Sequence, residues 1–355
     1  MAQEQYIHNH CPECGGKLKL DNNKRKLVCT SCDYTRNINE RSDQVAEITL
    51  FDRVRFDEFE REMGRGMKYV SCQGCKGIIG VPKHQVVKNS CPFCGSNDWQ
   101  AVEEANKPMP LKPFGIIPFT IPRKVASGKL ARYLRKGNPI FLPPAIFKLP
   151  KEVNLRGVFV PMYLMDVFTR STWRGQGGIR RTNNKKESYI AWEPTAGYWE
   201  RFHNDLPVLA SKVADGKLFD NIAPFDTKKV VPYDPAYLTD WLTEVYQMKE
   251  IDGAKKADET INKEVETYVK GRIKGSETKD LKINREKMLL TFRHVLVPVW
   301  MATFRYQGKA FQFMINGQNG RITGQRPLSF RRMYIAVGLI IALLVFLVLR
   351  FRWFG

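Results

Sequence analysis

Cysteine is confined to the first part of this chain: there are eight, and none follows Cys94. No thiol is left outside CxxC pairs to act as a nucleophile. No GxxxxGK[ST] loop, GxGxxG turn, HExxH helix or GxSxG elbow occurs. Their absence removes the usual phosphate-binding, dinucleotide, metalloprotease and serine-hydrolase sites. Five histidines are scattered. Asp166 and Asp226 follow apolar segments and are the candidates for paired carboxylates, although such residues more often cap turns. The expectation is a protein that is not an enzyme. Acidic residues are also scarce, 36 against 57 Lys and Arg, for a formal net charge of +21. That excess suits a nucleic acid or an anionic lipid leaflet equally well. The opening stretch MAQEQYIHNHCPEC lacks a basic segment followed by an apolar run, so no signal peptide is expected.

Charge is missing altogether from Met333 to Leu349, 17 residues that are nearly all apolar. As a helix they reach about 26 Å, slightly short of a hydrocarbon core of ~30 Å but within the range for a spanning segment. Arg331 and Arg332 precede them and Arg350 and Arg352 follow, and arginine stems can snorkel to close the gap. Tyr334 and Trp353 sit where interfacial aromatics belong. A core helix would rarely be apolar on every face and bracketed by arginine pairs. A single-pass C-terminal anchor is the reading, with the hydrophilic body on the cytoplasmic side of the cell membrane. Arg326, Arg331, Arg332, Arg350 and Arg352 are the candidate contacts to lipid headgroups.

The cysteines form four CxxC pairs: Cys11/Cys14, Cys29/Cys32, Cys72/Cys75 and Cys91/Cys94. Fourteen residues separate the first two pairs and 15 the second two. In a reducing compartment this spacing reads as metal binding rather than disulfides. Zinc takes four tetrahedral thiolates, and each CxxC turn offers two to one ion. Two zinc ribbons with one structural Zn2+ each are therefore expected; a thioredoxin-like dithiol would need a βαβ context that is missing. With four thiolates in each shell, His8, His10 and His84 are read as surface residues, and no coordination position remains for a substrate.

The chain divides into ribbon 1 (1–36), a linker (37–68) rich in both charges, ribbon 2 (69–102), a proline-containing linker (103–113), a larger α+β domain (114–328) and the anchor (333–349). Helices are predicted over Val125–Lys136, over Pro235–Met248 behind an Asp234 cap, and over Ala254–Arg272. The rest of the large domain reads as mainly antiparallel strands, with SYIAW, GYWERF, LPVLA, DLKINRE, KMLLTF and HVLVPVWMATFRY as separate candidates. His294 is placed half-buried at a strand start. Gly157–Leu164 and His294–Met301 echo each other, an apolar strand broken by proline and resumed by an aromatic residue. Duplicated half-domains and coincidence are both open.

CPECGGKL…CTSC, CPFCG, IIPF, GVFVPMYLMD, APFD, YDPAYL, VLVPVWMATFRYQGK and FMINGQNGRITGQRP together resemble the bacterial TFIIB-type zinc-ribbon-containing proteins, over roughly residues 11–328. The resemblance implies this architecture more than an activity. Some members lie beside genes for phage-shock-protein-A-like and flotillin-like (SPFH) envelope-stress proteins, which implies a membrane-stress scaffold with such proteins as partners.

Two functions from different classes follow. In the first, a membrane-anchored scaffold docks cytoplasmic or membrane proteins through its ribbons while its basic body lies against anionic lipid. In the alternative, a membrane-tethered nucleic-acid-binding protein uses Arg180, Arg181, Lys185 and Lys186 on phosphates and stacks bases on Trp173, Tyr189, Trp192, Tyr198 and Trp199. Those aromatics are more often sheet core, and the stretch Gly175–Lys186 reads as a flexible hairpin tip. The scaffold is the preferred expectation.

Overall fold

The computed structural model describes residues 11, 13–21, 26–37, 67–82, 90–103, 113–136, 143, 155–238, 241–246, 248–326 and 329–354. The readings made for His8, His10 and His84, and for the linkers over most of their length, lie outside these residues.

Three short strands, β1 (Leu18–Asp21), β2 (Lys26–Cys29) and β3 (Thr35–Asn37), form a separate antiparallel sheet. All other strands among the described residues join one sheet. Its opening members are β4 (Met67–Cys72), β5 (Ile78–Pro82), β6 (Trp99–Ala101) and β7 (Gly115–Ile116). Helix α1 (Arg123–Arg135) then leads to two very long strands, β8 (Arg156–Thr182) and β9 (Ser188–Leu209). After α2 (Gly216–Ile222) come β10 (Val231–Pro232), β11 (Leu242–Glu244), α3 (Glu250–Arg272), β12 (Glu277–Tyr306), β13 (Lys309–Asn316), β14 (Ile322–Gly324) and α4 (Phe330–Phe354).

The two echoing segments lie side by side. Gly157–Leu164 pairs antiparallel with His294–Met301 in the register Gly157↔Trp300, Val160↔Val297 and Tyr163↔His294. The surroundings repeat about that pair. Strand β7 lies parallel to β12, and β11 lies parallel to β8. Beyond them β10 flanks β7 and β5 flanks β11, both antiparallel. Each long strand then turns back into its own hairpin partner, β9 or β13. The order β10-β7-β12-β8-β11-β5 thus reads the same from either end, a pseudo-twofold arrangement.

This centre is covered on both faces, which explains its unbroken apolar runs. Phe159, Leu296 and Trp300 point toward α1, whose Ala126, Leu130 and Leu134 are buried in the same cluster. Val158, Val160, Val295, Val297 and Val299 point the other way, toward Leu218, Phe219 and Ile222 of α2. Small residues set the spacing: a Cβ on Gly157 would stand 2.3 Å from the Trp241 ring.

Beyond Met165 the sheet narrows to a three-stranded ribbon, β9-β8-β12, with α3 lying on one face. At ~3.3 Å per residue, β8 alone spans roughly 90 Å including its root in the core. Alternation decides the faces. Val167, Trp173, Trp199 and Ile283 turn toward the α3 stripe of Ala257, Ile261, Val265 and Val269. Trp199 stacks on Tyr268, ring centroids 5.2 Å apart. Ion pairs tie the helix flanks to both outer strands: Arg201 to Glu264, Arg285 to Glu266 at 2.9 Å, and Lys287 to Asp258 at 3.2 Å.

Several expectations need correction. The segments read as separate strands are continuous, because a ribbon buried on one face alternates without needing a turn at each polar residue. Gly175–Lys186 is likewise strand as far as Thr182, with a tight turn at Asn183–Glu187. Among the described residues, no α-helix covers Pro235–Met248. Asp234 does cap Ala236 at 2.7 Å, but a short 3-10 turn, Pro235–Leu238, ends there. Leu242–Glu244 is instead drawn into the sheet beside Val158 and Phe159, where its main chain completes a ladder that a helix would leave open. Helix α2 went unforeseen. His294 is fully buried rather than half-buried, and burial lowers its pKa to about 3.

Candidate metal centres and membrane helix

The four cysteines of each set converge. Cys11, Cys14, Cys29 and Cys32 form one group, and Cys72, Cys75, Cys91 and Cys94 the other, with the sulfurs of each within 4.8 Å of one another. Sulfur separations are 3.5 Å for Cys11–Cys32 and Cys14–Cys29 and 3.5 Å for Cys72–Cys94. Cys75–Cys91 is 3.8 Å. A tetrahedral ion with metal–sulfur bonds of ~2.3 Å requires about 3.8 Å between sulfurs, so the donor sets fit.

Local backbone makes each knuckle. The carbonyls of Cys11, Cys72 and Cys91 accept the N–H four residues on, from Gly15 (2.9 Å), Lys76 (2.8 Å) and Gly95 (2.9 Å). Closing the turn needs a left-handed residue, and all three have positive φ: +70° at Gly15, +72° at Gly95 and +60° at Lys76. Glycine meets this without strain at two of them. Backbone amides then point at the sulfurs, Ser31 N–H to Cys29 at 3.3 Å and Gly16 N–H to Cys14 at 3.4 Å. The Ser31 amide is the main reason the Cys29 pKa falls to about 7. In the second group the Cys91 thiol holds Cys75 as thiolate, down to about 5, and is itself pushed up in exchange. Competition of that kind is what a bound cation relieves.

The two centres differ in their setting. The first has its own small sheet, with Cys14 and the knuckle around it exposed, while its Cys11, Leu18, Leu27 and Cys29 are buried in the same hydrophobic cluster as Met67, Tyr69 and Ile116 of the body. The second is built into the body. Strand β5 continues the main sheet through β11 (Thr243↔Gly80, Glu244↔Ile79). The carbonyl of Pro92 accepts from Thr303 at 2.6 Å, and that of Phe93 accepts from Gln312. Phe93 is buried.

The C-terminal helix α4 contains one stretch, Arg332–Arg350, long and apolar enough to cross a membrane, and none of it is buried. Of the arginines proposed to meet lipid, Arg350 is exposed and Arg332 lies on the same helix. The side chains of Arg331 and Arg352 fall outside the described residues. Arg326 is engaged with protein: it stacks 4.1 Å over the Tyr133 ring and donates to the Lys136 carbonyl.

The two carboxylates picked out as a pair are not one. Asp166 accepts from Asp205 N–H at 2.8 Å and Thr291 Oγ1 at 2.6 Å. Asp226 accepts from Lys228 N–H at 3.3 Å, capping a 3-10 turn. The nucleic-acid candidates also separate. Trp173 and Trp199 pack beneath α3, whereas Tyr189, Trp192 and Tyr198 are exposed, and Arg181 is paired with Glu193 at 2.6 Å. Sequence reasoning missed Glu244, fully buried beside the second centre and accepting from Ser211. It fell within the stretch Pro235–Met248 read as a helix, so the sequence carried no signal for its burial in a short strand.

Fold and sites together define an α+β protein with two four-cysteine metal-binding centres and one apolar helix of membrane-spanning length. No family model matches the chain, and no solved structure matches it. It is similar to the uncharacterized protein YdjG of Bacillus subtilis strain 168, 25% identical over 334 residues and covering 91% of each chain.

Proposed function

We propose that this protein is a membrane-anchored scaffold that docks partner proteins at the cytoplasmic face of the membrane, with structural Zn2+ in both four-cysteine centres. The observation that carries this reading is the unequal setting of the two centres. The second is clamped into the body by Thr303 and Gln312, so its ion supports the fold. The first packs its Leu18 and Leu27 on the body but has its own sheet and turns the knuckle around Cys14 outward, the arrangement of a docking module. Four thiolates leave neither ion an open position for substrate. The α4 helix supplies the anchor, and partners of the phage-shock-protein-A-like or SPFH kind remain part of the proposal.

The test is affinity purification from gently solubilised membranes after nuclease treatment, comparing wild type with Cys11→Ser/Cys14→Ser. A protein recovered with wild type and lost with the variant is the expected result. Nucleic acid dominating the wild-type eluate, with all protein partners lost on nuclease treatment, would replace the scaffold by a tethered nucleic-acid binder.

A further inference from the structure

Among the described residues, nothing covers the second face of the ribbon. Opposite α3, the even-numbered residues of β8, β9 and β12 stand in cross-strand rows. Phe202, Phe168 and Met288 form one row, Tyr198, Thr172 and Asn284 another, and Ala196, Arg174 and Lys282 a third. Trp192 follows beside Gly178, with Lys279 Nζ 6.0 Å from its ring centroid. Among the described residues, seven large hydrophobic side chains outside α4 are exposed, and four of them are on this one face: Trp192 (40%), Tyr198 (73%), Phe202 (51%) and Met288 (56%). A monomer's exposed apolar residues are normally scattered, so this concentration marks a contact surface.

Its chemistry indicates what makes the contact. Arg174, Lys279, Lys282 and Arg180 alternate with the aromatics toward the hairpin end, against Glu277 and Asp280 there. Nearer the core Arg170 is neutralised by Glu200 at 2.6 Å, with Glu286 in the same row. A shallow, open hollow of about 550 Å³ lies on the same face, walled by Arg174, Gln176, Pro194, Ala196, Asp280 and Lys282 among others. Aromatics with polar edges, interspersed with long cationic stems on an exposed face, match the headgroup layer of an anionic bilayer. The tether adds a second argument. Arg326 is fixed to the core by Tyr133 and Lys136, and α4 begins at Phe330. If α4 spans, only a few residues separate the body from the membrane, so the bilayer is present at high effective concentration.

We infer that the open face of the β9-β8-β12 ribbon is a second membrane contact, on which the ribbon lies against anionic phospholipid, with Trp192, Tyr198, Phe202 and Met288 at headgroup depth and Arg174, Lys279 and Lys282 on the phosphates. The inference rests on α4 being an anchor, as proposed above, and assigns the lipid-binding surface to the ribbon rather than to Arg326. A stacking site for single-stranded nucleic acid would use the same residue types. No tether holds such a ligand near the protein, which is why lipid is favoured.

The experiment uses the full chain in proteoliposomes containing brominated phospholipid. Tryptophan quenching is read in phosphatidylcholine alone and with phosphatidylglycerol added. Trp192→Phe and Trp353→Phe variants separate the signals of the two residues. Quenching of Trp353 in both mixtures, and of Trp192 only with phosphatidylglycerol, is expected. Arg174→Glu/Lys282→Glu, at exposed positions, should abolish the Trp192 quenching and leave that of Trp353. Trp353 quenched while Trp192 remains unquenched in both mixtures would overturn the face and leave the anchor standing. Loss of Trp353 quenching would overturn the anchor and, with it, the face. A Trp192 response to added single-stranded RNA that exceeds its response to phosphatidylglycerol would assign the face to nucleic acid.

Discussion

The Asp166 carboxylate accepts the backbone N–H of Asp205 at 2.8 Å across two adjacent strands, while its other oxygen takes the Thr291 hydroxyl at 2.6 Å. The register slips at this point on both sides, between Met165 and Val167 against β9 and between Leu289 and Thr291 along β12. Asp205 has a φ of +54°, and its side chain pairs with Arg293. One buried aspartate therefore satisfies the irregularities that mark where the two-sided core gives way to the one-sided ribbon.

Replacing it tests this account. Asp166→Ala leaves a backbone N–H and a hydroxyl without their acceptor, and a loss of about 2–3 kcal/mol is expected. Urea unfolding should show a lower midpoint. An unchanged midpoint would mean that the bulges hold without Asp166.

At Lys76 the second centre places a non-glycine residue where φ is +60° and the equivalent knuckles carry Gly15 and Gly95. Lys76→Gly should stabilise by up to about 1 kcal/mol by removing the left-handed strain, partly offset by greater freedom of the unfolded chain. Thermal unfolding of the metal-loaded protein measures it. A decrease in Tm would show that the Lys76–Gln73 hydrogen bond outweighs the strain.

Loss of metal should affect the two centres differently. Cys91→Ser is expected to weaken amide-exchange protection in β12 and β13, because Pro92 and Phe93 dock on Thr303 and Gln312. Cys14→Ser should loosen β1–β3 and leave β12 protected. Equal loss of protection in β12 and β13 in both variants would contradict the closer coupling of the second centre to these strands.

Burial lifts the Glu244 pKa from near 4.5 to about 8, against a smaller opposing pull from the Ser211 hydroxyl. Between those values the folded protein keeps a proton that the unfolded chain has released. Its contribution is therefore fully present below about pH 4.5, declines as pH rises, and is lost above about 8. Glu244→Gln should flatten this part of the stability profile and be the more stable form at alkaline pH. Parallel wild-type and variant profiles would refute the buried, protonated carboxyl.

Much of this molecule is local and therefore readable along the chain. Four CxxC pairs with glycines behind two of them specify knuckles, because the turn and its left-handed residue lie within five positions. The apolar stretch after Arg332 specifies a helix of spanning length by composition alone, and the Ala257–Ile261–Val265 spacing specifies the face of α3. Tertiary structure decided the rest. A period of two reveals a strand but not its neighbour, so nothing along the chain showed that Gly157–Leu164 pairs with its own echo at His294–Met301. Asp234 caps a turn as its sequence suggests, yet the vacant edge beside Val158 drew Leu242–Glu244 into the sheet. Trp199 and Tyr198 are adjacent and look alike in sequence. Only the placement of α3 on one side of the ribbon buries the first and leaves the second facing outward.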